Sequence, residues 1–198
     1  MSIKSKSYLI VSIAVMAALA IVFDVFSDIL PLRMPWGMKI DFVGTVWVLS
    51  YFLYGLSVAF PVSVITSLFI ILVMPTGFVG GVMKFIATIP MFIIPAIFSY
   101  LPFFSPRSSK IFQKLPLIIG VGILANIVRI LIATILNLYW AIPFYLGKTS
   151  EEILSLYGGL IPLIIFVSGL NLLQGIVDIS VSWFLAFKFK LSTMFGTW

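Results

Sequence analysis

The chain has 198 residues, of which 62% are hydrophobic and 9% charged, with a net charge of +6 and a mean hydropathy of +1.25. A soluble core of this length could not bury so much apolar surface, so the composition indicates an integral membrane protein. Cysteine and histidine are absent from the sequence, which excludes disulfides, thiolate nucleophiles, most transition-metal sites and the commonest general base. The basic residues stand at the ends of apolar runs, so nucleic acid is not an expected partner.

Apolar runs of about 20 residues predict an all-α fold with six transmembrane helices. The first run, 8–30, follows Lys4 and Lys6 in the manner of a signal peptide, but its length and the further spans favour a retained helix. The region 42–75 is divided by YGLS at 54–57 into two short spans. The remaining helices are predicted at 80–101, 116–140 and 160–187. Without internal repeats, residues 1–198 form a single transmembrane domain.

The distribution of basic residues predicts the orientation in the cell membrane. Six spans place both termini on one side, together with the loop LPFFSPRSSKIFQKLP. That side collects most of the basic residues: Lys4, Lys6, Arg107, Lys110, Lys114, Lys188 and Lys190. The positive-inside rule therefore places the N- and C-termini in the cytoplasm and leaves two outer connections, 31–42 and 141–159.

Polar residues form matching stripes on the last two predicted helices. Helix 6 carries Asn171, Gln174 and Asp178 at i, i+3 and i+7, which is one helical face. Helix 5 repeats the pattern with three residues on one side: Asn126, Arg129 and Asn137. Counted from the cytoplasmic ends, Asn126 and Asp178 both lie at ~15 Å, and Arg129 and Gln174 both lie at ~20 Å. The two stripes are therefore expected to face each other.

The stripes have two interpretations. Interhelical hydrogen bonds could hold helices 5 and 6 together without any ligand. Intramembrane ionisable groups are otherwise functional candidates, which favours a solute site lined by the outer residues Asn137 and Asn171. For Arg129 and Asp178, we expect positions in the bundle interior, where a mutually satisfied structural pair is favoured over ligand contact.

Other residues near the outer side extend the candidate site. Aromatic residues cluster there, including Trp36 and Tyr145; they suit an interfacial belt, and they also suit stacking on a flat ligand. Gly80 and Gly81 begin helix 4, with Lys84 below them, which could also reach outward to the interface.

Helix 1 carries a small-residue motif. Ala14 and Ala18 are four residues apart in AVMAALA, a spacing that allows two helices to approach closely. It could serve packing within the chain or docking on a partner.

These features together resemble the substrate-binding S component of energy-coupling factor (ECF) vitamin transporters, and the riboflavin-specific members in particular. The segments that carry the resemblance are MKIDF at 38–42, GGVMKFIAT at 80–88, ATILNLYWAIPFY at 133–145 and GLNLLQG at 169–175. The resemblance implies a binder of riboflavin, with Asn137, Asn171, Gln174, Lys84 and Asp41 as polar contacts. Trp36 and Tyr145 would then be apolar walls.

Two residues depart from the family pattern. Gln174 stands where the family usually has lysine, and Lys84 stands where an acidic or amide residue is common. The charge has either been relocated within the pocket, with flavin binding kept, or the ligand has changed.

The resemblance also implies the partners of the chain. An S component captures its vitamin from outside and docks through helices 1–3, here with Ala14 and Ala18, on a transmembrane T component driven by two cytoplasmic ATPases. The sequence lacks a G-x-x-x-x-G-K-[S/T] phosphate loop, so the chain is not expected to hydrolyse ATP by that machinery. The resemblance further implies a binding subunit that is not an enzyme and has no cofactor. The alternatives are an S component for another vitamin, a membrane-embedded lipid-modifying enzyme and a purely structural subunit.

Overall fold

The computed structural model describes residues 6–27, 34, 38–103 and 108–195, and the regular elements in these ranges are helical. In chain order the helices are α1 Lys6–Ser27, α2 Val43–Tyr54, α3 Leu56–Val73, α4 Gly77–Thr88, α5 Pro90–Tyr100, α6 Leu115–Leu136, α7 Ile142–Leu146, α8 Ser150–Leu156, α9 Leu160–Trp183 and α10 Leu191–Met194. A 3-10 turn covers Ser109–Gln113, and π-helical turns cover Asn137–Ala141 and Phe184–Lys188.

Within the described ranges, six apolar helical segments make up the bundle, as predicted. Five are long and apolar enough to span a bilayer: Lys6–Ser27, Leu56–Val73, Gly77–Tyr100, Leu115–Leu146 and Leu160–Lys188. The sixth is α2, which has 12 residues and is therefore only about 18 Å long. The all-α membrane fold is confirmed.

The short helix α2 is the centre of the bundle. Every residue from Val43 to Leu53 is buried, and the helix packs against α1, α3, α5 and α9. A helix that is hydrophobic on all sides is stable when protein surrounds it. Because neighbouring helices and not lipid cover α2, it does not need the length of a spanning helix.

The predicted break between the second and third spans is present at Gly55. This residue has φ +82°, and its N–H still bonds to the carbonyl of Tyr51. A positive φ is readily adopted only by glycine, so Gly55 ends α2 and lets α3 begin in a new direction. The two spans are unequal, with 12 and 18 residues.

Two predicted boundaries were wrong. The fourth span begins at Gly77 and not at 80, and it consists of α4 and α5, separated at Ile89 before Pro90. Proline cannot donate the backbone hydrogen bond that would continue α4 without interruption. The fifth span continues beyond 140 through the π-helical turn into α7, which ends before Gly147 at φ +59°.

The connection after α7 contains a further short helix, α8. Its N-terminus has a capping box in which the side chain of Thr149 accepts from the N–H of Glu152, while the N–H of Thr149 donates to the Glu152 carboxylate. This backbone hydrogen bond lowers the pKa of Glu152 below its ordinary value of 4.5. The outer connection is therefore an ordered structure, not a loose loop.

The first and last described residues lie on the same side of the bundle, as six spans require. The hydroxyl of Tyr8, near the start of α1, donates to the backbone carbonyl of Phe195 at 3.2 Å. The cytoplasmic assignment of this side remains a prediction from the positive-inside rule.

Candidate functional site

A cavity opens at the end of the bundle opposite the termini. The cavity volume is about 90 Å³, which is below the range of about 300–1,000 Å³ typical of small-molecule sites, and its mouth is open. The end of α1, residues 38–41, α3, α4, α6, α7 and α9 all contribute to its wall. The lining residues are Asp24, Met38, Lys39, Asp41, Ile70, Thr76, Gly80, Met83, Lys84, Ala87, Arg129, Ala133, Asn137, Ala141, Tyr145 and Asn171.

The amide residues predicted as anchors line this cavity together. Asn137 and Asn171 are both buried, and each donates its side-chain N–H to the carbonyl four residues earlier, at 2.7 Å to Ala133 and 3.0 Å to Val167. Each amide nitrogen carries two N–H groups; the nitrogen of Asn171 also lies 3.9 Å from Met38 Sδ, so the amide oxygens and the second N–H of Asn137 can face a ligand. Asn137 begins the π-helical turn, a distortion that is frequent at functional sites.

Lys84 and Asp41 form an ion pair in the cavity wall. Lys84 Nζ lies 2.5 Å from Asp41 Oδ1 and 2.6 Å from Oδ2. The lysine side chain is 14% exposed and the aspartate 2%. Lys84 therefore points into the bundle, which excludes the alternative in which it reaches outward to the interface.

Gln174 holds the backbone of Asp41 in place. Its amide oxygen accepts from the Asp41 N–H at 3.1 Å, and its amide nitrogen donates to the Asp41 carbonyl at 2.8 Å and to Asp178 Oδ1 at 2.9 Å. Gln174 is buried and is not among the residues that line the cavity. It connects the ligand-side ion pair to the deeper charges of the bundle.

Arg129 and Asp178 form a second ion pair below the cavity, at 2.9 Å between Nη1 and Oδ2. The carboxylate also contacts the hydroxyl of Thr45 at 3.4 Å. Gly44 makes room for the carboxylate, because a Cβ at this position would collide with it. The expected interior pair is therefore present between α6 and α9.

The two stripes contact each other, but the residues counted at equal depth are not the ones that meet. Arg129 meets Asp178, not Gln174, and the amide of Asn126 donates to the carbonyl of Leu172 at 3.4 Å, beside Gly175. Side chains tilt toward the N-terminus of their own helix. Because α6 and α9 are antiparallel, the side chain of Arg129 tilts toward the N-terminal end of α6, and the side chain of Asp178 tilts in the opposite direction, toward the N-terminal end of α9. The two side chains therefore meet although their Cα atoms lie at different depths.

A further ion pair that the sequence did not predict borders the same cavity. Lys39 Nζ lies 2.9 Å from Asp24 Oδ1 and donates to the Asp24 carbonyl at 2.9 Å. Asp24 is near the end of α1. Its partner Lys39 lies in the connection between α1 and α2, which has no periodicity from which a contact could be predicted.

Tyr145 connects two parts of the cavity mouth. Its hydroxyl donates to the backbone carbonyl of Thr76 at 2.7 Å. Thr76 lies in the turn between α3 and α4, and Tyr145 lies in α7. The hydrogen bond therefore links this turn to α7 at the mouth of the cavity. Trp36, the other predicted wall, lies outside the described residues.

The paired alanines of α1 face away from the bundle. Ala14 and Ala18 are exposed, whereas Ala17 and Ala20 are buried against the core. Packing within the chain therefore uses the neighbouring small residues, and the Ala14–Ala18 pair remains open for a contact outside the chain.

The sequence matches no known protein family and no curated protein. The structure is similar to a solved structure of the S component of a bacterial ECF transporter, with a TM-score of 0.68. The comparison covers 96% of this chain and 99% of that chain, at 21% identity. The chain has the S-component fold. At this identity the similarity shows the architecture, and the ligand must be argued from the residues in the cavity.

Proposed function

We propose that this chain is the substrate-binding subunit of an ECF-type importer and that its cargo is riboflavin. The observation that carries the proposal is the cavity at the end opposite the termini, lined by both Asn137 and Asn171 in a bundle with the S-component fold. Amide groups supply edge hydrogen bonds to a flat heteroaromatic ring, and the apolar remainder of the wall supplies contact area.

The ion pair between Lys84 and Asp41 favours the alternative in which the positive charge has moved within the pocket and flavin binding is kept, over the alternative of a different ligand. The lysine that departs from the family pattern is neutralised by a carboxylate in the same wall. Gln174, the second departure, uses its amide on the Asp41 backbone and on Asp178. The two departures are thus linked through Asp41, and neither adds an uncompensated charge to the cavity.

Transport requires partners in this proposal. The exposed face of α1 with Ala14 and Ala18 supports docking on a transmembrane T component, because small residues allow close helix contact within the bilayer. The sequence contains no phosphate-binding loop, so two cytoplasmic ATPases would supply the energy through that component.

The test is a titration of the ligand-free protein in lipid nanodiscs with riboflavin, followed by flavin fluorescence. We expect quenching that saturates at one flavin per chain. The Asn137→Leu variant should weaken binding about tenfold, as expected for the loss of one buried hydrogen bond. A folded protein that does not quench flavin fluorescence would refute riboflavin as the cargo.

A further inference from the structure

The charges that border the cavity are arranged in pairs. The charged lining residues in the described part of the chain are Asp24, Lys39, Asp41, Lys84 and Arg129. The first four form two pairs within the wall, and Arg129 is paired with Asp178 directly behind it. The sum of these six charges is zero.

A charged ligand would find no free counter-charge among these groups. Moving an ion from water into a closed site is strongly unfavourable unless an opposite charge or several hydrogen bonds receive it. Each of the six charged groups already lies within 2.9 Å of an opposite charge. An uncharged ligand with polar edges avoids this penalty, and the amide groups of Asn137 and Asn171 in the wall can hydrogen-bond to its edges.

The pair of Asp41 and Lys84 differs from the other two in its position. Lys84 is the most exposed of the three paired cations, with 14% of its side chain exposed, compared with 10% for Lys39 and 3% for Arg129. The backbone of Asp41 is fixed by two hydrogen bonds with Gln174, one donated and one accepted by the glutamine amide, and the Asp41 carboxylate also accepts from the N–H of Val43 at 2.9 Å. Asp41 is therefore held at a defined place, where it neutralises the more accessible lysine.

We propose that the cavity selects an uncharged ligand and that the Asp41–Lys84 ion pair is the determinant of this selectivity. The inference rests on the proposed function and adds the charge class of the cargo. Gln174 acts as a positioning residue, since it contacts Asp41 and not the cavity. Removal of the Asp41 charge turns Lys84 into an unpaired cation in the wall, which favours an anionic ligand.

The experiment compares riboflavin with flavin mononucleotide, which has the same ring and an added phosphate, by fluorescence quenching in nanodiscs. We expect the wild-type protein to bind riboflavin at least tenfold more tightly. Asp41→Asn should reduce the ratio of the riboflavin affinity to the flavin mononucleotide affinity at least tenfold. Asp41→Asn with Lys84→Gln should restore this ratio, because the wall is again neutral. If Asp41→Asn does not fold, Lys84→Gln takes its place and should increase the ratio.

The matched control is Glu151→Gln, which removes one negative charge at an exposed position outside the cavity. It should leave the ratio unchanged. Equal binding of both flavins by the wild type, or an equal effect of Glu151→Gln and Asp41→Asn, would overturn the charge selectivity and leave the riboflavin proposal intact.

If neither flavin binds, the riboflavin proposal fails, and a thermal-stability screen with other vitamins decides the charge selectivity separately. Stabilisation by cationic thiamine or anionic biotin would overturn it. Stabilisation by an uncharged vitamin alone would support it.

Discussion

Removal of Arg129 tests whether the ion pair below the cavity is a buried structural element. Asp178 is 0% exposed and Arg129 is 3% exposed, with 2.9 Å between the charged atoms. Removal of one partner from a buried pair costs about 3–5 kcal/mol, because the other charge is left uncompensated. In Arg129→Met, Asp178 keeps the hydrogen bond from Gln174 at 2.9 Å and the weaker contact from Thr45 at 3.4 Å. We therefore expect the lower end of the range, about 3 kcal/mol.

The assay is the free energy of unfolding in mixed micelles titrated with dodecyl sulfate and followed by tryptophan fluorescence. The double variant Arg129→Met with Asp178→Asn should recover most of the loss, because the asparagine is uncharged and can still accept from Gln174. A single variant within about 0.5 kcal/mol of the wild type, the range usual for surface substitutions, would refute a desolvated ion pair at this position.

Three further predictions concern the ligand, the partner and the outer connection. Asn171→Leu should weaken riboflavin binding at least tenfold in the fluorescence titration, because a hydrogen bond of about 1.4 kcal/mol corresponds to a factor of ten. Ala14→Leu with Ala18→Leu should spare binding but abolish uptake in cells that hold the partner subunits, because the added bulk separates the helices. Protection of α8 amides from hydrogen exchange should be present above pH 4.5 and decline below it, because Glu152, with its lowered pKa, caps the helix only as a carboxylate.

The predictions for the ligand and the partner each have a control variant on the same helix. Leu172→Ala, on the exposed side of α9, should leave riboflavin affinity unchanged, and an unchanged affinity in Asn171→Leu would remove that residue from the site. Val15→Phe with Leu19→Phe adds bulk elsewhere on the exposed side of α1 and should retain uptake. Normal uptake in the alanine variant would exclude the docking role. Equal protection of α8 at pH 3 and pH 7, after correction for intrinsic exchange, would contradict the capping argument.

The parts of the fold that depend on composition and helical period could be predicted from the sequence. Lipid selects long apolar helices, so the spans are visible as runs, and Gly55 marks the break between α2 and α3. The interior charges Arg129 and Asp178 could be placed because a charge in a spanning helix must face protein. The central position of α2 could not be predicted from the sequence, because its apolar residues are equally compatible with a lipid and a protein environment.

The wall of the cavity was less predictable because its contacts join distant parts of the chain. Lys84 and Asp41 are 43 residues apart, and Gln174 lies 133 residues from the backbone it holds. No periodicity within one helix encodes such pairs. The pairing of Arg129 with Asp178 further depends on the tilt of side chains in antiparallel helices, which a count of residues along the axis omits.

The most direct measurement of the central proposal is the visible absorption spectrum of the protein purified from cells grown with riboflavin. We predict a yellow preparation with a flavin spectrum that corresponds to one flavin per chain and is retained through size-exclusion chromatography. A colourless, folded protein that also takes up no flavin when supplied with it would contradict riboflavin binding at the cavity of Asn137 and Asn171.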